Sequence, residues 1–237
     1  MPFFRKIVLM VLCLLVVNML LSQPNRFSKK EVSTILSNYK QSLDTIQQLI
    51  LVVNDHDSSN KATVFVLEKR NSKWKIKFKN IPASIGRNGF ALPEKKIEGD
   101  GKSPTGIFML GQLFSYENKI NSSLPFIQTS QEDKWIDDTN HINYNQYIKG
   151  NTTAKSFEHL FLNNIYYKYC TVIEYNTHPV IKGKGSAIFF HVADEKFSPT
   201  AGCVAINETT MEEILLWMKP NLNRAIIMGN KNNLILN

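Results

Sequence analysis

The spacing of hydrophobic positions changes along the chain, and each change marks a different kind of element. Residues 7–21 form an almost unbroken apolar run behind Arg5 and Lys6. A short basic region followed by about 15 apolar residues is typical of a secretory signal and is short for a membrane span. No clear cleavage site with small residues follows the run. We therefore predict that residues 1–27 are either a signal peptide or an uncleaved N-terminal membrane anchor.

Helical spacing begins directly after this segment. Ser28 and Glu31 have the spacing of a capping box, which marks the start of a helix. The apolar positions that follow recur every three or four residues, as in a helix with one apolar face; they are Val32, Ile35, Leu36, Tyr39, Leu43, Ile46 and Leu49. We predict an amphipathic linker helix over residues 28–48. Its apolar face is expected to pack on the domain that follows, and binding of a partner is the alternative.

From residue 49 the spacing becomes that of β-strands. Short apolar runs rich in β-branched and aromatic residues alternate with polar or glycine-containing turns. The predicted strands cover residues 50–53, 63–67, 74–78, 107–110, 171–175, 186–190 and 225–228. Thr209 and Glu212 form a second capping box, which predicts a helix that ends before Pro220. The pattern indicates a mostly β (α+β) domain over residues 49–229, followed by a tail over residues 230–237.

The segment 112–165 is polar and irregular, and we predict long loops with a short helix near residues 156–161. Long loops over a compact sheet often carry substrate contacts. Asp137 and Asp138 in this segment are candidate metal ligands or general acids. Adjacent carboxylates in a strand point to opposite faces, so we favour a solvated or turn-capping role for them.

Charge and cysteine content narrow the possible surroundings of the protein. The chain has 28 Lys and Arg against 20 Asp and Glu, a formal net charge of +8. Such an excess favours anionic surroundings such as wall polymers or lipid headgroups. No basic cluster forms a recognisable nucleic-acid motif, so we expect no nucleic-acid partner. Outside the leader only Cys170 and Cys203 remain, which is too few for a disulfide framework. The structural alternative is that these two residues form a disulfide with each other.

The chemistry is concentrated between His191 and Cys203. His191 ends an apolar, strand-like run, and Cys203 follows Gly202 twelve positions later. A thiol is a weak nucleophile until a neighbouring base such as imidazole activates it. Glycine before the cysteine allows a substrate to approach the backbone closely. The combination favours acyl transfer by a cysteine enzyme. The structural alternative is that His191 is a histidine at the end of a strand whose ring is hydrogen-bonded to the backbone. If His191 is the base, either Asp194 or a backbone carbonyl is a candidate to orient its imidazole.

His191 together with Ser198-Pro-Thr-Ala-Gly-Cys203-Val-Ala resembles the L,D-transpeptidase catalytic domain, also called the YkuD domain. The upstream stretch Gly99-Asp-Gly-Lys-Ser-Pro-Thr-Gly-Ile-Phe-Met-Leu-Gly111 is similar to that family's approach to its sheet. The resemblance covers roughly residues 50–229. It implies a YkuD-like β-sandwich or barrel with a few peripheral helices.

The resemblance also implies site residues and a reaction. Cys203 is expected to be the nucleophile, His191 the general base, and the backbone amides of Gly202 and Cys203 the oxyanion donors. Ser198 and Thr200 are expected to contact substrate. The implied substrate is a peptidoglycan stem peptide, which Cys203 attacks at the carbonyl of the third residue to release D-alanine. A side-chain amine of a second stem then resolves the thioester, without metal, ATP or any other cofactor; water in its place gives carboxypeptidase action.

Two positions depart from the family pattern. Many members have histidine where this chain has Ala201 and arginine where it has Ala205, so donor recognition must be arranged differently here. The alternatives at the same site are an L,D-carboxypeptidase or another cysteine amidase, and a third alternative is an inactive wall-binding module. We expect an exported protein of the periplasm or cell envelope that is anchored in the inner membrane if residues 7–21 are retained.

Overall fold

The computed structural model describes residues 27–162 and 164–236, so the predicted leader lies outside the described residues apart from Phe27. The helices are α1 (Lys29–Asn38), α2 (Glu208–Trp217) and α3 (Lys231–Ile235). The strands are β1 (Gln48–Asn54), β2 (Lys61–Arg70), β3 (Lys73–Ser84), β4 (Gly106–Ser115), β5 (Phe126–Gln128), β6 (Asp133–Ile136), β7 (Tyr147–Lys149), β8 (Phe157–His159), β9 (Cys170–Ile173), β10 (Phe189–Val192), β11 (Val204–Ile206) and β12 (Arg224–Asn230). In the described part of the chain, no helix is long and apolar enough to cross a membrane.

The main sheet closes on itself as a barrel. Its strands follow the order β12-β1-β2-β3-β11-β10-β9-β4-β5, and β12 also pairs with β4. In this closing pair Ile226 lies opposite Phe108, and closure removes edges that would otherwise expose unpaired backbone groups. The predicted fold class, mostly β with a few peripheral helices, is confirmed.

Strand β1 is buried on both faces. Ile50 and Val52 point into the barrel core, whereas Leu49, Leu51 and Val53 point outward to the layer formed with α1 and α3. This arrangement explains why β1 has a continuous apolar run instead of the alternation that marks a half-buried strand.

Helix α1 packs on the barrel as predicted, but it is shorter than the predicted linker helix. Ser28 and Glu31 form the capping box. The helix ends at Asn38, and residues 39–45 continue as turns. The Nδ2 atom of Asn38 donates hydrogen bonds to two carbonyls of the C-terminal segment, 3.1 Å from Leu234 O and 2.7 Å from Ile235 O. Contacts with a distant segment therefore hold the residue at which the helix ends.

The C-terminal elements differ from the predictions in two ways. Helix α2 is capped by Asn207 instead of Thr209, because the Asn207 side chain accepts from the N–H of Thr210 at 3.0 Å. The end of the chain is also more than a tail. Helix α3 packs beside α1, and its Leu234 is completely buried.

A small second sheet, β7-β6-β8, covers the outer face of β10. The helix predicted near residues 156–161 is wrong, because Phe157–His159 forms β8, in which Glu158 lies opposite Trp135 of β6. The Trp135 ring packs edge-on against Phe189 of β10, with 5.3 Å between ring centroids. The sheet is therefore a wall over part of the barrel surface.

The turn after β6 contains the two adjacent aspartates. Asp138 accepts the N–H groups of Asn140 at 3.0 Å and Lys155 at 2.8 Å. The predicted turn-capping role is confirmed for this residue. Asp137 differs, because its Oδ1 atom is buried and has no hydrogen-bond partner among the described residues.

Candidate functional site

Parallel pairing of β10 and β11 places His191 and Cys203 on the same face of the barrel. Phe190 lies opposite Val204 and His191 lies opposite Ala205, so Cys203 lies beside Phe189. Phe189 and His191 point to the same side because side chains alternate along a strand. Phe190 belongs to the barrel core. The thiol and the imidazole therefore lie outside this core, and both line a cavity of about 270 Å³.

The Cys203 thiol is buried and protonated in this arrangement. Its Sγ accepts a hydrogen bond from the N–H of Phe189 and donates one to the carbonyl of Ala187, each at 3.3 Å. Burial raises the pKa of the thiol to about 12, although the N–H of Phe189 and the charge of Lys96 act in the opposite direction. A thiol with this pKa reacts only when a base removes its proton.

The imidazole of His191 lines the same cavity and is the candidate for that base. Its Nδ1 lies 2.8 Å from the carbonyl oxygen of Val192. A carbonyl only accepts hydrogen bonds, so we assign the proton to Nδ1, which leaves Nε2 with a free lone pair. Burial lowers the pKa of His191 to about 4, against the opposing effect of the Val192 and Tyr166 carbonyls. At neutral pH the resting pair is a neutral imidazole and a neutral thiol.

A backbone carbonyl, and not Asp194, orients the imidazole. The Asp194 carboxylate instead accepts from the N–H of Ser198 at 2.7 Å and from the hydroxyl of Tyr166 at 3.2 Å. The ring of Tyr167 packs edge-on against the imidazole at 5.4 Å. Together the carbonyl and the aromatic ring fix the orientation of His191.

The loop before Cys203 is held by the Thr200 hydroxyl. This hydroxyl donates to the carbonyl of Cys203 at 2.7 Å and accepts from the N–H of Gly202 at 3.1 Å. The Ser103 hydroxyl also donates to the Cys203 carbonyl, at 3.2 Å. Thr200 lies in the cavity wall with the exposed Ser198, and a substrate contact for either residue stays a prediction. If the Gly202 amide is an oxyanion donor, it must first release Thr200.

A buried ion pair lies behind this loop. Lys96 is 4% exposed, and its Nζ lies 2.8 Å from Oδ1 of Asp100. A Cβ on Gly202 would lie 3.7 Å from this Nζ and 2.9 Å from the Lys102 carbonyl oxygen. The second distance is too short for a real side chain, which explains the need for glycine next to Cys203. Lys96 cannot be identified from the sequence, since nothing in its spacing distinguishes it from the many surface lysines.

The polar segment supplies contacts that the sequence analysis also missed. The Asn145 side-chain oxygen accepts from the N–H of Ala187 at 3.1 Å and from the Trp135 indole at 2.8 Å. Ala187 has a φ of 52°, a backbone conformation that is uncommon for residues other than glycine. Asn145 therefore stabilises the strained residue whose carbonyl accepts from the Cys203 thiol.

Other potential sites are limited. Cys170 lies opposite His191 on β9, and both Cys170 and Cys203 are free thiols, so the alternative disulfide is not formed. Among the described residues, no group of three or more His, Cys, Asp and Glu side chains is placed to hold a metal ion.

The chain is similar to a known protein family and to a solved structure. The profile of the L,D-transpeptidase catalytic domain (YkuD) matches residues 50–227, whereas no curated protein matches the chain. Among solved structures, the chain is similar to the helical cell shape determining protein Pgp2 from Campylobacter jejuni, with 15% sequence identity and a TM-score of 0.41. That similarity covers 84% of this chain and 55% of the Pgp2 chain. Because the profile spans most of the barrel and includes both His191 and Cys203, the chain belongs to the L,D-transpeptidase catalytic domain (YkuD) family.

Proposed function

We propose that this protein is an exported cysteine acyltransferase that forms or remodels peptidoglycan cross-links through a thioester on Cys203. The observation that carries the proposal is the shared cavity of Cys203 and His191, in which the carbonyl of Val192 leaves Nε2 as the proton acceptor. The family supplies the substrate class, since its members act on cell-wall peptides.

The reaction starts from the neutral pair. Nε2 of His191 removes the thiol proton as sulfur attacks the carbonyl carbon of the third stem residue. The C–N bond to the terminal D-alanine breaks, and the imidazolium returns the proton to the leaving amine. The acyl group stays on sulfur. An amine or water then attacks the thioester carbon, the C–S bond breaks, and the thiol recovers a proton through His191.

Buried surroundings favour such a concerted transfer. With a thiol pKa of about 12 and an imidazole pKa of about 4, a thiolate–imidazolium pair is costly before substrate binds. Charge develops only when substrate arrives, at which point backbone N–H groups stabilise the oxyanion. The amide of Cys203 and the amide of Gly202, once released by Thr200, are the proposed donors.

The test is mass spectrometry of peptidoglycan fragments incubated with the protein. Cross-linked dimers joined through third residues support transfer, whereas shortened monomers alone support the L,D-carboxypeptidase or amidase alternative. Cys203→Ala is expected to abolish both products. Cys170→Ala is the matched control, since it removes the other buried free thiol. Product formation that survives Cys203→Ala contradicts the proposal, and retained sacculus binding without any product from the unaltered protein supports the inactive wall-binding module.

The cellular location is part of the same proposal. The apolar run 7–21 behind Arg5 and Lys6 supports export to the periplasm or cell envelope, with the membrane contact made by this run if it is retained. Fractionation of cells with and without residues 1–27 tests this part, because a protein without them is expected to stay in the cytoplasm.

A further inference from the structure

The catalytic cavity contains a carboxylate for which the reaction at Cys203 has no use. Glu158 of β8 lines the cavity together with His191 and Cys203. Its Oε2 lies 3.4 Å from the hydroxyl of Tyr167, whose ring packs against the imidazole. The small sheet thus places one acidic side chain next to the nucleophile and base.

Glu158 determines the charge of this cavity. Of the described lining residues it is the one with an acidic side chain, and the one base among them, His191, is kept neutral by burial. The rest of the wall is apolar, aromatic or hydroxyl-bearing, and Ala201 and Ala205 add no charge to it. The cavity therefore favours a positively charged group over a carboxylate.

Nothing in the described protein neutralises this charge. None of the ion pairs among the described residues includes Glu158 or Asp137. The ammonium of Lys134, on the neighbouring strand β6, donates to the carbonyls of Glu132 and Gly150. Burial raises the pKa of the Glu158 carboxyl, and the charge of Asp137 raises it further. Glu158 is half-buried, and a cation bound next to it favours the ionised form of its carboxyl.

We propose that Glu158 binds a primary ammonium group of a peptide stem and so determines which stems enter the cavity beside Cys203. This inference rests on the proposed function and specifies its substrate, because the side chain of a diamino acid is the ammonium-bearing part of such a stem. Asp137 strengthens the negative potential at the same wall.

The bound ammonium belongs either to the stem that donates the acyl group or to the stem that accepts it. If it belongs to the acyl donor, Glu158 aligns the stem before thioester formation. If it belongs to the acceptor, the bound ammonium gives one proton to the Glu158 carboxylate, and the resulting amine attacks the thioester carbon. The C–S bond then breaks, the second amine proton returns to sulfur through His191, and Glu158 releases its proton to water. Both cases use the same ammonium–carboxylate contact.

Calorimetry with the full chain carrying Cys203→Ala tests the contact without turnover. The probes are a tetrapeptide stem with a free side-chain amine and the same stem with that amine acetylated. We expect Glu158→Gln to weaken binding of the free-amine stem about tenfold or more, as for loss of a hydrogen bond between charged groups. Binding of the acetylated stem is expected to stay unchanged. Asp137→Asn is expected to weaken binding of the free-amine stem less than Glu158→Gln does. Glu132→Gln, at the exposed end of the same sheet, is the control and is expected to leave binding unchanged.

Product analysis with Cys203 intact separates the two sources. If the ammonium belongs to the acceptor stem, Glu158→Gln lowers the yield of cross-linked dimers relative to shortened monomers. If it belongs to the donor stem, Glu158→Gln lowers the yields of both products in proportion. The inference is overturned if the Glu158→Gln variant binds the free-amine stem as tightly as the protein with Glu158 does. It is also overturned if Glu158→Gln weakens binding of the free-amine and acetylated stems equally. If the protein forms no Cys203-dependent product and yet shows amine-dependent binding, the proposed reaction fails while the ammonium site stands.

Discussion

The Nδ1 atom of His191 lies 2.8 Å from the carbonyl oxygen of Val192, the next residue in the chain. The acceptor that fixes the imidazole tautomer is thus part of strand β10 itself. In the Ser-His-Asp arrangement a carboxylate has this role and also stabilises the imidazolium. A backbone carbonyl is neutral and gives less stabilisation, which agrees with a His191 pKa held near 4 by burial.

Substitution of Asp194 tests whether the Val192 carbonyl, and not the Asp194 carboxylate, orients the His191 imidazole. Asn at this position keeps an oxygen that accepts from the N–H of Ser198, so we expect Asp194→Asn to retain most of the activity. His191→Gln removes the proposed base and is expected to lower kcat/KM about 100-fold or more. Steady-state release of D-alanine measures both effects. A comparable loss in the two variants would show that the carboxylate acts on the imidazole.

The pH dependence of activity follows from the two buried groups. Nε2 accepts a proton as long as His191 is neutral, which holds down to a pKa of about 4. The thiol stays protonated up to a pKa of about 12. We expect kcat/KM to be flat from about pH 5 to pH 10, without the inflection near 6.5 that an unperturbed histidine gives. A bell-shaped profile with limbs near pH 6.5 and 8.5 would instead indicate a histidine and a cysteine with ordinary pKa values, which contradicts the effect of their burial.

The same histidine makes stability depend on pH. Its pKa in the folded protein, about 4, lies below its usual value of 6.5, so protons bind more readily to the unfolded chain between these values. The stabilisation is complete above pH 6.5 and is lost as the pH falls toward 4, in total about 3 kcal/mol. Urea unfolding at pH 7 and pH 4.5 measures this change. His191→Gln is expected to reduce the difference, and an equal difference in both proteins would contradict the buried neutral imidazole.

The sequence predicts the barrel strands better than it predicts the surroundings of His191 and Cys203. Strands such as β1 and β12 are long and apolar, so their local pattern is sufficient. Strand β8 is only three residues long, and its conformation depends on pairing with β6, more than twenty residues earlier. Glu158 was missed for this reason. Without β8 there is no reason to place its side chain near Cys203.

The end of α1 shows the same limit on another side of the molecule. The apolar spacing continues past Asn38, and Leu43 and Ile46 are buried as that spacing suggests. The backbone nevertheless leaves the helix at Asn38, whose side chain bonds to carbonyls about 200 residues away. Local spacing predicts which residues are buried, whereas contacts between distant segments decide the backbone conformation that buries them.

Substitutions of Thr200 and Ser198 distinguish a role in holding the loop from a contact with substrate. The Thr200 hydroxyl bonds to Gly202 and Cys203, so we expect Thr200→Val to lower the free energy of unfolding by about 1–3 kcal/mol and to lower kcat. Ser198 is exposed, and Ser198→Ala is expected to leave stability unchanged, with a rise in KM if the hydroxyl contacts substrate. Thermal unfolding and steady-state kinetics give the two readouts. A Thr200→Val protein of unchanged stability with a raised KM would assign Thr200 to substrate binding instead.

Substitutions in the Lys96–Asp100 pair test whether the charge near Cys203 affects the reactivity of its thiol. The Lys96 ammonium favours the Cys203 thiolate against the effect of burial, so its removal should slow every reaction in which sulfur becomes negative. Lys96→Met alone also removes the cation beside the partly buried Asp100 carboxylate, which still accepts from the N–H groups of Ile97 and Lys102, so we expect a loss of about 1–3 kcal/mol of stability. The double variant Lys96→Met/Asp100→Asn is expected to recover much of that stability while its rate of alkylation by iodoacetamide at Cys203 stays below that of the unaltered protein. Mass spectrometry of the alkylated peptide distinguishes Cys203 from Cys170. If the double variant recovers both stability and alkylation rate, the lysine holds the loop in place and its charge has no part in activating the thiol.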